Sequence, residues 1–197
     1  MTVEQIKAPA HRTRKVPAKL VREELKGVPL YYKGYKGVMN GSKKLEDIMG
    51  SSSLQSYIVG VIYGILFSMV NRKKYILTTN ETGLHLGHNN NFSTDIAIFL
   101  KENVVLDDKY FSVAPEIAIE VDVKIETDQE LDYIFTKSEE MMAHGTKRIF
   151  WIITKHKKVF IMEQGETTLI VDWDKEVNVM DNVVINIHKI VSEEGLI

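Results

Sequence analysis

The chain has 197 residues, 44% hydrophobic and 26% charged, which suits one soluble globular domain with a real core. Cysteine is absent, which excludes disulfides, thiolate metal sites and a cysteine nucleophile, and fits a reducing, cytoplasmic setting. A net charge of −2 gives no global field for nucleic acid, so any such binding has to use a local patch.

Residues 1–19 carry His11, Arg12, Arg14 and Lys15 without apolar periodicity, and they lack the apolar core of a secretory signal. They read as a disordered basic tail, with a phosphate-contacting arm as the alternative. From Leu30 to Val38 the run LYYKGYKGV predicts two short extended pieces broken at glycines. Residues 54–70 carry no charge and include Gly60-x-x-x-Gly64, a spacing used by membrane helix pairs. Gln55 and Ser56 shorten the strongly apolar part to about 14 residues, the length of a buried core helix and not of a membrane span. Ser52 and Gln55 form a capping-box pattern that marks a helix start in water. The two glycines are then expected to bring this helix close to a sheet or a second helix.

Strand-like runs follow at Tyr75–Thr78, Gly83–Leu86 and Thr94–Leu100, separated by turn-rich NETG and GHNNNFS. The last run, TDIAIFL, sets Asp95 at the head of an apolar strand. His85 and His88 lie on a glycine-broken extended segment and make a poor zinc pair, so they read as solvated loop residues.

The stretch from Pro115 to Lys124 reads PEIAIEVDVK. In an extended chain Ile117, Ile119, Val121 and Val123 point one way, and Ala118, Glu120 and Asp122 point the other. So short and apolar a strand belongs inside a sheet. Two carboxylates on its second face are costly without a partner, so that face either meets water or meets a positive group. A divalent metal is the obvious occupant, since hard cations take oxygen ligands.

Thr127-x-x-Glu130 starts a further helix. Leu131, Ile134, Phe135, Ser138, Met141 and Met142 trace its apolar face, and Gly145 ends it. Lys137 sits on the flank, about 100° from the centre of that face, where its stem can carry the ammonium to the sheet edge. The run from Arg148 to Thr154 is the next buried strand, so strand, helix and strand form a parallel crossover. The remainder reads as hairpins, with VVINIHKI closing the chain. The class is mixed α/β: a central mixed sheet flanked by helices, with additional hairpins, forming one domain over 20–197.

Asp95 on one strand, Glu120 and Asp122 on another and Lys137 on the next helix resemble the PD-(D/E)XK nuclease superfamily. More narrowly the chain resembles the Uma-two family of restriction-endonuclease-like proteins, over roughly residues 20–190. The resemblance rests on TDIAIFL, on APEIAIEV and on KSEEMMAHGTKRIFWII. Thr94 departs from the family's proline, and Val123-Lys124 from its Ser-Pro. Asp122 stands where the wider superfamily has its lysine, which implies that Lys137 on the helix takes that role; Lys124 is the rival. The resemblance implies a restriction-endonuclease-like core and hydrolysis of DNA phosphodiester bonds.

Phosphodiester hydrolysis needs an activated water and countercharge for the transition state. Mg2+, with Mn2+ as substitute, is expected on Asp95 and Glu120, with Asp122 as a further ligand or near neighbour and the Val121 carbonyl completing the site. Lys137 is expected to assist the water or the transition state. The acid cluster is expected to destabilise the metal-free fold, and bound metal to reverse this. DNA is the expected partner, a homodimer is allowed, and no membrane is involved. The other reading is a catalytically idle member of the fold serving as a binding or assembly module.

Overall fold

The computed structural model of the chain describes residues 15–193 and Gly195, so His11, Arg12 and Arg14 of the expected basic tail lie outside the described residues. Strands β1 (Val21–Leu25) and β2 (Val28–Tyr31) form a hairpin, followed by a short helix α1 (Tyr35–Met39). The second of the two extended pieces expected from LYYKGYKGV is therefore helical, with Gly34 in the left-handed region (φ 90°) turning the chain into it. Helix α2 spans Ser53–Met69, and the Ser52 hydroxyl accepts the Gln55 N–H as its cap.

Strands β3 (Tyr75–His85) and β4 (Asn91–Leu100) pair antiparallel along their whole length. NETG is not a turn between two strands but an irregularity within β3. Asn80 and Glu81 take positive φ (70° and 53°), and the register shifts between Thr79 and Thr82. Strand β5 (Ile117–Asp122) pairs antiparallel with β4 and parallel with β6 (Arg148–Ile153), across helix α3 (Asp128–Ala143). The expected crossover is therefore present. Strands β7 (Lys158–Glu163) and β8 (Leu169–Asp172) extend the sheet antiparallel. A separate hairpin, β9 (Val177–Met180) with β10 (Val183–Ile185), and helix α4 (Ile187–Glu193) follow. The segment VVINIHKI thus divides into a short strand and a helix, whose Ile187, Ile190 and Val191 are buried at helical spacing.

The sheet has a core on each face. Ile58, Ile62 and Leu66 of α2 pack with Ile96, Ile98, Ile117, Ile119 and Val121 on one. Ile134 and Met141 of α3 pack with Ala97, Phe99, Ala118, Ile149 and Trp151 on the other. Alternation along β4 and β5 therefore sends Asp95 and Glu120 to the α3 face. Gly60 and Gly64 do not serve a close approach: a Cβ on either meets nothing within 4 Å, and both face outward from α2.

The positioning of the site depends on how β4 is shared. β3 occupies one edge throughout. On the other edge β5 covers Ile96–Ile98, while β1 reaches β4 at Asn91. The intervening residues, Phe92 to Asp95, lie in a gap between β1 and β5. Buried beneath α3, the Trp151 indole N–H donates to the Ser138 hydroxyl at 2.9 Å, pinning helix to sheet. Ser138→Ala strands that N–H in the core and is expected to lower stability by about 1–3 kcal/mol, measured by chemical denaturation against wild type.

Candidate active site

Carried one step past Ile96–Ile119, the β4–β5 register sets Asp95 opposite Glu120. A side-chain contact continues the ladder there, as the Val121 N–H donates to Asp95 Oδ2 at 2.7 Å. The gap beside Ser93 is closed in the same manner. The Ser93 N–H donates to Glu23 Oε1 at 3.2 Å, and its carbonyl accepts from Lys137 Nζ at 2.6 Å. Side chains thus take over backbone partners where the strands part.

Lys137 is fully buried, not flanking: its exposure is 0%. The buried residues of α3 are Ile134, Lys137, Ser138, Glu140 and Met141, while Phe135, expected on the apolar face, is exposed. Counting Phe135 as apolar core turned the expected face away from Lys137. The ammonium lies 2.9 Å from Glu120 Oε1 and 3.1 Å from Glu23 Oε1, and donates to the Tyr133 hydroxyl at 3.1 Å. Tyr133 in turn donates to Glu23 Oε2 at 2.6 Å. Its ring and that of Trp151 meet edge to face. Burial works against the Lys137 charge, but Glu120 and Glu23 outweigh it and raise its pKa well above the ordinary value. Burial likewise opposes ionisation of Glu23, yet Lys137 and Arg22 hold its pKa below normal.

Glu120 differs. Burial pushes its carboxyl up to about 7, with Asp95 and Glu23 adding repulsion and Lys137 pulling the other way. Despite the close ammonium, Glu120 Oε1 is buried with no hydrogen-bond partner, so the contact is electrostatic without donor alignment. Burial also raises Asp95, against the hydrogen bond from Val121 and the charge of Lys137.

A cleft of about 360 Å³ opens over these groups, lined by Asp95, Glu120, Val121 and Asp122 and by Ser52 and Gln55 at the start of α2. The Gln55 amide donates to the Val121 carbonyl, the group expected to complete a metal site. Asp122 lies at the rim, where its Oδ1 accepts the N–H of Val123 at 2.6 Å. Among the described residues no three His, Asp or Glu side chains converge as a metal cage. Two carboxylates lining one cleft fit a magnesium-type ion, which takes oxygen ligands and keeps several waters. Lys124, the rival lysine, pairs with Glu126 at 2.5 Å on the rim.

Arg22, Glu23, Ser93, Gln55 and Tyr133 escaped the sequence reading. The signal for Glu23 was an acid sharing strand parity with Leu25, weakened because Arg22 and Glu24 flank it. Arg22 lines the cleft. Burial disfavours its charge, but Tyr133, Glu23, Glu120 and Asp122 more than compensate and raise its pKa.

Two measurements probe this network. Lys137→Ala leaves Glu23 and Glu120 as buried unpaired acids, so about 3–5 kcal/mol of stability should be lost, read from denaturant melts. Glu120 binds more protons folded than unfolded between its ordinary value of 4.5 and about 7, so metal-free stability falls as pH rises through that window. The difference in unfolding free energy between wild type and Glu120→Gln should decline across it by on the order of 1–3 kcal/mol.

No family model matches the chain, and no curated protein sequence does. Among solved structures, the chain is similar to a crystal structure titled "a putative nuclease belonging to DUF820" from Anabaena variabilis ATCC 29413. The two share 17% identity with a TM-score of 0.65, covering 86% of this chain and 89% of the other. Among the described residues, no helix is long and apolar enough to cross a membrane. The protein has a mixed α/β, restriction-endonuclease-like fold.

Proposed function

We propose that the protein is a metal-dependent endonuclease that hydrolyses DNA phosphodiester bonds at the Asp95–Glu120 cleft. The observation carrying this reading is the pair of carboxylates, Asp95 and Glu120, set opposite each other across β4 and β5 and lining one cleft. The fold shared with the Anabaena protein supports it.

A bound Mg2+ or Mn2+ would activate a water and polarise the phosphate. The chain's own residues do the rest. Asp95 and Glu120 would hold the ion, with Asp122 at the rim of the cleft. Lys137, buried behind Glu120, does not line the cleft and serves as a positioning residue that fixes the Glu120 carboxylate. Ser52 and Gln55 close the α2 side of the cleft.

One observation favours the idle-module reading: the Val121 carbonyl is already engaged by Gln55. Metal binding separates the two, since an idle fold has no need of it.

Plasmid and oligonucleotide cleavage with Mg2+ or Mn2+ tests the proposal. Asp95→Asn and Glu120→Gln should each cost orders of magnitude in rate and weaken Mn2+ binding by calorimetry. Lys124→Ala should be near neutral, because its charge is already paired with Glu126. Cleavage that persists in chelator, or in Glu120→Gln, would overturn the assignment.

A further inference from the structure

We infer that Arg22 forms a phosphate-binding subsite, contacting the phosphodiester group of a nucleic acid strand entering the cleft. This rests on the nuclease reading above and names the residue that receives the substrate's charge. The first observation is position. Besides the central cleft, one cavity of about 360 Å³ runs along β2 and the start of α3, and another of about 270 Å³ lies between β1, β3 and the loop carrying Tyr110. Arg22 is the residue common to all three linings. A chain passing from one cavity to another through the acid pair has to pass it.

The second observation is availability. The other cations at the cleft already have carboxylate partners. Lys33 pairs with Glu130 at 2.7 Å, Lys124 pairs with Glu126, and Lys137 is enclosed between Glu23 and Glu120. Among the described residues no hydrogen bond or ion pair engages the Arg22 guanidinium, although its neighbours Glu23, Glu120 and Asp122 are acidic. Its five N–H donors are thus uncommitted, in a planar fork that matches two phosphate oxygens at once.

The third observation is need. Asp95, Glu120 and Asp122 line the same cleft as Arg22 and repel a phosphodiester. The chain carries net negative charge, so attraction has to be local. A metal on the acids would offset part of that repulsion, and an arginine in the same cleft offsets more of it. Lys137 cannot serve here, because it faces the back of Glu120.

The test uses the full chain and two probes, a fluorescein-labelled oligonucleotide and inorganic phosphate, both in chelator so that no cleavage occurs. Oligonucleotide affinity is measured by anisotropy between about 50 and 200 mM salt, where lost phosphate contacts show in the slope. Arg22→Ala should weaken binding roughly tenfold and reduce the slope of log K against log salt by about 0.7–0.9, the value of one phosphate contact. Arg22→Lys should retain the slope while losing cleavage rate in Mn2+, because the charge stays and the fork does not. Lys101→Ala, which removes a cation at the far end of β4, should leave both unchanged.

Unchanged oligonucleotide affinity and slope in Arg22→Ala, with wild type still cleaving, would overturn the subsite and leave the nuclease reading standing. Phosphate that binds wild type but not Arg22→Ala, with no oligonucleotide binding, would show an anion site that takes no nucleic acid strand and would overturn the subsite. Absence of binding by either probe to wild type would overturn the subsite. Should Arg22→Ala not fold, Arg22→Gln, which keeps much of the length without the charge, decides: an unchanged salt slope in that variant overturns the subsite.

Discussion

A single ammonium group buried under α3 determines much of this structure. Lys137 has no exposure, yet it stays charged because Glu23, Glu120 and the Ser93 carbonyl surround it. Placing a charge in a core costs several kcal/mol unless geometry repays it. Here the partners come from β1, β5 and β4, so the ammonium sets the relation between three strands and the helix above them. Tyr133 closes the arrangement by binding both Lys137 and Glu23. Hydrophobic packing alone specifies no such register, whereas an ion with few acceptable partners does.

The same interaction explains why the cleft opens where it does. β1 and β5 cannot both pair with β4 at Ser93–Asp95, and side chains finish what the backbone leaves undone. A carboxylate that terminates a ladder is held firmly and faces open volume. Asp95 therefore combines a structural bond to Val121 with a place in the cleft lining. Glu120 is placed by the strand's alternation and restrained from behind by Lys137.

Alternation made much of this legible before any coordinates. The isoleucines of β5 had to face one core, which left Glu120 on the other side, and TDIAIFL did the same for Asp95. Lys137 was legible as a participant but not as a core residue, since a helical wheel weights Phe135 inward and cannot see acids waiting on other strands. Glu23 was harder still. It sits among charges in a five-residue strand, and the partners that allow its burial, Ser93, Tyr133 and Lys137, are all remote in sequence. NETG carried every mark of a turn, yet pairing with a continuous β4 held it as an irregularity inside one strand. The glycines of α2 had a spacing that suggests a close approach, but nothing in the spacing says which side of the helix is covered.

Glu23 and Lys137 are 114 residues apart in the chain. Long separations delay contact formation, because the loop has to close before the contact repays it. Until the first hairpin settles against β4, the lysine has only part of its shell, and water is the better host for its charge. Burial of α3 and docking of the N-terminal hairpin are therefore steps that wait for each other. The cleft draws part of its wall from that hairpin, through Arg22, and so takes shape when the docking is complete.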